Sequence, residues 1–311
     1  MKYKVFVDGS EGTTGLKINE RLAKFDNIEL LVIDNEKRKD KLERKRLLNE
    51  ADFAFLCLPD DASREAVSLI ENENTVVIDA STAFRTDKNW AYALPEISKD
   101  LKEKLLASKR IAVPGCHATG FTVAVYPLIK SGIIGKDYPV CCQSITGYSG
   151  GGKSLIARYE GRENKDALKS PQLYALSLAH KHLPEMKAIN DLKYKPLFTP
   201  IVADFFSGMC VVIPLHKRLL SKAIDGKDLN EFFKDYYKDE EYINVLPFGS
   251  EEILENGFLD ATKCNGTNNV DICVFENDEQ LLVVTRLDNL GKGASGAAVQ
   301  AMSMIMGKSG D

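Results

Sequence analysis

Apolar residues come in short runs that alternate with amphipathic stretches from the start of the chain. Runs at Tyr3 to Val7, Ile28 to Ile33, Phe53 to Leu58, Val76 to Ile78 and Arg110 to Val113 read as strands, and stretches near 12–24, 62–71 and 98–107 read as helices with one apolar face. Strands spaced by helices pair in parallel, so this half predicts an open parallel sheet. Beyond Gly115 the pattern changes. A long apolar helix over about 118–130 leads into β-rich runs at Val140 to Thr146, Leu197 to Ala203, Met209 to Pro214, Val270 to Glu276 and Leu281 to Arg286. Their spacing predicts an α+β second domain with a largely antiparallel sheet. The small-residue stretch Gly293 to Met306 reads as a helix that returns to the first domain.

The 311 residues, 44% hydrophobic and 28% charged, are enough for two domains with full cores. The net charge of −4, with no basic stripe, argues against nucleic acid or an anionic membrane as partner and leaves small molecules. Apolar runs such as Met209 to Pro214 are too short to span a bilayer, and the first residues lack the apolar core of a signal peptide. The seven cysteines are scattered and form no CxxC pair, which fits a reducing cytoplasm. One of them is then expected to react and the rest to pack.

The first strand-to-helix connection reads Asp8-Gly9-Ser10-Glu11-Gly12-Thr13-Thr14-Gly15. Glycines there let backbone N–H groups approach a pyrophosphate at a helix N-terminus, although a tight turn without ligand would look the same. Gly9, Ser10, Gly12, Thr13, Thr14 and Gly15 are the candidate cofactor contacts. Asp34, after the second strand, suits the ribose hydroxyls of NAD, whereas Lys37 and Arg38 suit the 2′-phosphate of NADP. The competing reading makes Glu36 to Arg46 a solvated charged helix.

Cys116 lies in Val113-Pro114-Gly115-Cys116-His117-Ala118, where a strand ends and a long helix begins, a setting that favours a thiolate. Cys57, Cys141 and Cys142 fall in strand patterns and read as core. Of the four histidines, His180 and His182 form the obvious cluster in His180-Lys181-His182-Leu183-Pro184-Glu185; His216 reads as a strand-end residue. His117 ranks lower, since side chains of consecutive residues at a helix start diverge. No third ligand has a convincing spacing for a metal, and none is expected.

Gly147-Tyr148-Ser149-Gly150-Gly151-Gly152-Lys153-Ser154 fits the P-loop pattern, with Asp204 as the best Mg²⁺ ligand, or else an anion-binding loop for substrate phosphate. Ser81 and Arg85 follow a parallel strand's carboxyl end, where ligands bind in open sheets. Asn289 and Gly291 open a glycine-rich stretch that either approaches a cofactor or packs closely.

With ASTAFR at 80–85, PGCHATG at 114–120, GYSGGGKS at 147–154, HKHLPE at 180–185 and NLGKGASGAAVQ at 289–300, in that order after the glycine loop, the chain resembles the N-acetyl-γ-glutamyl-phosphate reductases. The likeness spans nearly the whole chain and is to the shorter class of that group within the phosphorylating semialdehyde dehydrogenases. It implies an α/β fold: a Rossmann-like dinucleotide-binding domain over 1–116, joined by the C-terminal helix 291–311, and a catalytic and oligomerisation domain over 117–290. It further implies NADPH as reductant, Cys116 as nucleophile, His182 as acid/base and a homodimer or homotetramer. Ser81, Arg85, Ser149 and Lys153 are candidates for holding substrate phosphate or carboxylate. The alternatives are a related dehydrogenase for another acyl phosphate, such as aspartyl phosphate, and a P-loop hydrolase or kinase.

Overall fold

Strand β1 (Tyr3–Asp8) is the first of six parallel strands, with β2 (Ile28–Leu31), β3 (Phe53–Leu56), β4 (Val76–Asp79), β5 (Ala91–Tyr92) and β6 (Arg110–Ala112), in the order β2-β1-β3-β4-β6-β5. The computed structural model describes residues 2–161, 165–249 and 253–307. The chain divides into two units, Met1–Gly115 with Ala294–Asp311, and Cys116–Gly293.

In the first unit both faces of the sheet are covered, which is why β3 and β4 are apolar without alternation. Val5, Val7, Phe55 and Ile78 face one way and pack with Ile18 and Leu22 of α1 (Thr13–Leu22), Leu105 of α4 (Lys99–Ala107), and Ala298 and Met302 of α10 (Gly296–Ile305). Phe6, Ala54, Leu56 and Val77 face the other way, against Leu47 and Leu48 of α2 (Lys41–Glu50) and Ala66 of α3 (Asp60–Ser68). Each fully buried large side chain contributes about 1.5–3 kcal/mol. Residues 308–311 of the expected C-terminal segment lie outside the described residues.

Two expectations fail here. The second strand ends at Leu31, and Val32 is 80% exposed. The charged stretch 36–46 is not one solvated helix: residues 35–39 form a turn, and α2 starts only after Asp40, whose carboxylate accepts from the N–H groups of Leu42 and Glu43. Arg44 is buried, its Nε and Nη2 donating to Asp8 at 3.0 and 2.9 Å.

The second unit is built on helix α5 (Cys116–Lys130) and a seven-stranded sheet in the order β11-β12-β13-β10-β7-β9-β8. Its strands are β7 (Cys141–Gly147), β8 (Gln172–Leu173), β9 (Leu197–Ala203), β10 (Met209–His216), β11 (Ile243–Val245), β12 (Val270–Glu276) and β13 (Gln280–Leu287). Only β7/β9 and β11/β12 pair in parallel, so the sheet is mixed and mostly antiparallel. Helices α6 (Gly152–Glu160), α7 (Lys165–Leu168), α8 (Leu183–Ile189) and α9 (Gly226–Tyr237) lie between its strands along the chain.

Helix α5 is buried from His117 to Ile129, which accounts for its unbroken apolar pattern. Gly120 lets it approach the sheet closely: a Cβ there would stand 2.7 Å from Thr285 Oγ1 and Val211 Cγ2. Along β7, Cys142, Ser144 and Thr146 point inward, while Gln143 and Ile145 are exposed and Cys141 is half-buried rather than core. No helix among the described residues is long and apolar enough to cross a membrane.

Candidate active site

After β6 the chain passes through buried Pro114 and Gly115 and enters α5 at Cys116. An anion on this half-buried thiol faces the positive end of a 15-residue helix. Gly293 belongs to the π-helical turn Gly291–Ser295, and a Cβ on it would stand 2.6 Å from Cys116 Cβ. Five other thiols have a different character. Burial pushes Cys210 and Cys264 up to about 12 and Cys273 up to about 11, and raises Cys142. Cys57 is raised by burial first and then by the charges of Asp79 and Asp8.

The histidines converge on Cys116. A ligand atom from each of Cys116, His117 and His182 lies within 4.8 Å of the others. The His117 ring centroid is 5.4 Å from that of His182 and 5.5 Å from that of His180. His182 is buried immediately before α8, and its backbone N–H donates to His180 Nδ1 at 3.1 Å. The expectation that the His117 and Cys116 side chains diverge is therefore corrected. Tyr174, His180 and His182 all bring their rings within 6.4 Å of the His117 ring.

His117 Nδ1 lies 2.7 Å from Ser144 Oγ, and Nε2 lies 2.8 Å from the Tyr174 hydroxyl. Burial, then the nearby His180 and Lys181, lowers its pKa to about 3, so the ring is neutral, one nitrogen donating and the other accepting. Tyr174 is held above its ordinary value by burial, with the charge of Cys116 adding to it. Neither Tyr174 nor Ser144 stands in a recognisable motif. The chain after Tyr174 has positive φ at Ala175 (52°) and Leu178 (57°), which no local pattern announces.

In the first unit, Gly9 has φ +84°, and a Cβ there would stand 2.4 Å from Cys57 O; on Gly15 it would meet Gly9 O at 2.5 Å. Glycine is required at both. The first turn of α1 presents backbone N–H groups with no intrahelical acceptor. Beside them Thr13 Oγ1 is buried with no hydrogen-bond partner among the described residues. A buried hydroxyl left unsatisfied at such a turn fits an anionic group that completes it. Ser10 and Thr14 flank this turn half-buried, and Lys37 and Arg38 stand exposed in the turn after β2, as does Asp34.

Beyond β4, Ser81 Oγ donates to Asp79 Oδ2 at 2.6 Å, and Ser63 Oγ also donates to Asp79, whose pKa burial raises. Arg85 is buried and not a surface arginine, with Nε donating to Val113 O at 2.8 Å and Nη2 to Ala80 O at 3.2 Å.

The P-loop pattern does not fold as a P-loop. It follows a strand of the mixed sheet, passes through a single 3-10 turn (Tyr148–Gly151) and enters α6 with Lys153 exposed. Ser149, buried, accepts from Asn289 Nδ2 at 3.0 Å, and Asn289 Oδ1 accepts from Gly208 N at 2.8 Å. A Cβ on Gly291 would meet Thr267 O at 2.3 Å. Asn289 and Gly291 thus have close neighbours within the second unit.

Residues 4–104 match the family model described as semialdehyde dehydrogenase, NAD binding domain, and residues 116–289 match semialdehyde dehydrogenase, dimerisation domain. N-acetyl-gamma-glutamyl-phosphate reductase 2 of Nostoc sp. is 46% identical over 98% of this chain and 97% of that protein. The N-acetyl-gamma-glutamyl-phosphate reductase of Chelativorans sp. is 44% identical over 98% and 99%. Among solved structures, aspartate semialdehyde dehydrogenase II from Vibrio cholerae superposes with a TM-score of 0.72 at 17% identity, covering 98% of each chain. At that identity the likeness speaks for the fold alone.

Proposed function

The chain belongs to the semialdehyde dehydrogenase family, in the group of the N-acetyl-γ-glutamyl-phosphate reductases, and on that premise we propose how its residues carry out the reaction. The enzyme reduces N-acetyl-γ-glutamyl phosphate to N-acetylglutamate semialdehyde with release of phosphate, a step of arginine biosynthesis. NADPH supplies the hydride.

Cys116 thiolate attacks the acyl carbon; the C–O bond to phosphate breaks, phosphate leaves with the bonding pair, and a thioester remains on the enzyme. Backbone N–H groups of the first turn of α5 donate to the carbonyl oxygen as it gains charge, a contribution of about 3 kcal/mol per donor. After hydride addition to the thioester carbonyl, His182 gives the resulting oxygen a proton, then takes it back as the carbonyl re-forms and the C–S bond breaks to free the semialdehyde and the thiolate. The observation that carries this reading is the approach of Cys116 and His182 at the start of α5.

Gly9, Ser10, Gly12, Thr13, Thr14 and Gly15 are assigned to the cofactor pyrophosphate, and Lys37 and Arg38 to the 2′-phosphate. Lys153 is the cation assigned to substrate phosphate or carboxylate. Ser81, Arg85 and Ser149, whose polar atoms already bond protein groups, are assigned to shaping the substrate's surroundings. Asn289 and Gly291 are assigned to fixing the turn beside Cys116. A homodimer or homotetramer is supported by the dimerisation-domain match and by the apolar outward residues Ile145 and Leu197 on β7 and β9. Seven free thiols favour the cytoplasm.

The test is the reverse reaction: purified protein with N-acetylglutamate semialdehyde, phosphate and NADP⁺, followed by NADPH absorbance, alongside aspartate semialdehyde. NADPH formation with the acetylated substrate only is expected. Formation with aspartate semialdehyde only would overturn the substrate assignment.

A further inference from the structure

Cys116, His117 and His182 are three side chains of the kinds that bind borderline-soft metals, and each brings a ligand atom within 4.8 Å of the other two. We propose that they form a chelating site for a divalent cation of the Zn²⁺ type, and that filling it switches the enzyme off. The metal would be an inhibitor and not a cofactor, since the thiol sulfur it takes is the one assigned to attack the acyl phosphate.

The geometry is close to what the ion requires. Bonds of about 2.3 Å to sulfur and about 2.0–2.1 Å to nitrogen set tetrahedral ligand atoms about 3.3–3.6 Å apart. Ligand atoms that already lie within 4.8 Å of one another need to close by no more than about 1.5 Å, within the reach of side-chain rotation. Two of the ligands are consecutive residues at the start of α5, and the third precedes α8, so regular elements hold all three. Three protein ligands leave the fourth position for water, and half-buried Cys116 supplies the entry path.

The surroundings also suit a ligating histidine, which typically donates its second ring N–H to an outer partner that fixes the ring. For His117 that partner exists on either side: Ser144 Oγ lies 2.7 Å from Nδ1 and the Tyr174 hydroxyl 2.8 Å from Nε2. Whichever nitrogen turns to the metal gives up one hydroxyl, and the other hydroxyl keeps the ring in place. The spacing of the histidines along the chain concealed this site, because the third ligand comes from the residue next to the thiol.

Binding rests on the geometry alone, whereas loss of turnover rests also on Cys116 being the nucleophile. The metal-free, full-length protein is titrated with Zn²⁺ in competition with a chromophoric chelator, and with Co²⁺ as a spectroscopic probe. One metal ion per chain is expected. Co²⁺ should give a sulfur-to-metal charge-transfer band and the intense visible absorption of a tetrahedral site. His117→Gln should weaken Zn²⁺ binding at least about tenfold, and loss of the hydroxyl that keeps the ring in place, by Ser144→Ala or Tyr174→Phe, severalfold. On the wild-type protein, Zn²⁺ should shield Cys116 from alkylation until EDTA is added, and turnover should fall in parallel. Absence of the charge-transfer band, or alkylation of Cys116 at an undiminished rate, would overturn the site whatever the variants do. Unchanged affinity in His117→Gln would overturn the three-ligand set. Metal bound at the site with turnover unaltered would overturn the inhibition, and with it Cys116 as nucleophile.

Discussion

The Tyr174 hydroxyl lies 2.8 Å from Nε2 of His117, a ring whose other nitrogen is 2.7 Å from Ser144 Oγ. Burial, with the nearby His180 and Lys181, disfavours a charge on this imidazole, and its pKa is lowered from 6.5 to about 3. The unfolded chain therefore binds a proton between these two values that the folded chain refuses. Stability from His117 is complete above about pH 6.5 and is lost as the pH falls toward 3, by a few kcal/mol in all. Urea midpoints measured from pH 7 to pH 4 should fall less steeply for His117→Asn than for the wild type. Parallel curves would contradict a buried neutral His117.

Within the histidine cluster, roles differ by position. His182→Asn should lower kcat by about 10² to 10⁴, the usual contribution of general acid/base catalysis, and His180→Asn should lower it far less. Single-turnover rates check this. Equal losses would contradict the assignment of the proton to His182.

Gly293 holds no reactive group, yet it limits where Cys116 can sit. A methyl group there would stand 2.6 Å from Cys116 Cβ, so Gly293→Ala must move the thiol or the Gly291–Ser295 turn. Overpacking of this kind costs about 1–3 kcal/mol in stability. Turnover should fall at least about tenfold while NADPH affinity, measured by fluorescence titration, stays near that of the wild type. Wild-type turnover in a folded variant would show that the nucleophile tolerates displacement.

What could be read from the sequence is what depends on neighbours along the chain. Cys116 stands out because a strand end, Pro114-Gly115 and a helix start lie together in one stretch, and the parallel sheet follows from strands that alternate with helices along the chain. Strand β5 has only the two residues Ala91 and Tyr92, too few for any period to appear. Arg44 sits among charged residues and looked solvated, but its partner Asp8 is 36 positions away. Tyr174 and Ser144 reach His117 across separations of 57 and 27 residues, and the chain just after Tyr174 takes left-handed backbone at Ala175 and Leu178 that non-glycine residues seldom adopt. Such pairings are created by tertiary folding, and local pattern carries no trace of them.

Lys37 and Arg38 are exposed in the turn after β2, with acidic Asp34 beside them. Two cations favour a 2′-phosphate over a ribose hydroxyl, so changing both to Ala should lower the preference for NADPH over NADH at least about tenfold, mostly through NADPH affinity. An unchanged ratio of the two affinities would assign the 2′-phosphate to other groups.

The central claim is that the acyl group passes through Cys116. Mixing the enzyme with N-acetyl-γ-glutamyl phosphate in the absence of NADPH and recording the intact mass measures this directly. The mass should rise by one N-acetylglutamyl group. Peptide mapping should locate it on Cys116, added NADPH should discharge it as the semialdehyde, and Cys116→Ser should acquire no such group while still binding NADPH. Without NADPH, an unmodified Cys116 in enzyme that turns over once NADPH is added, or an acyl group carried on any other cysteine, would contradict the account.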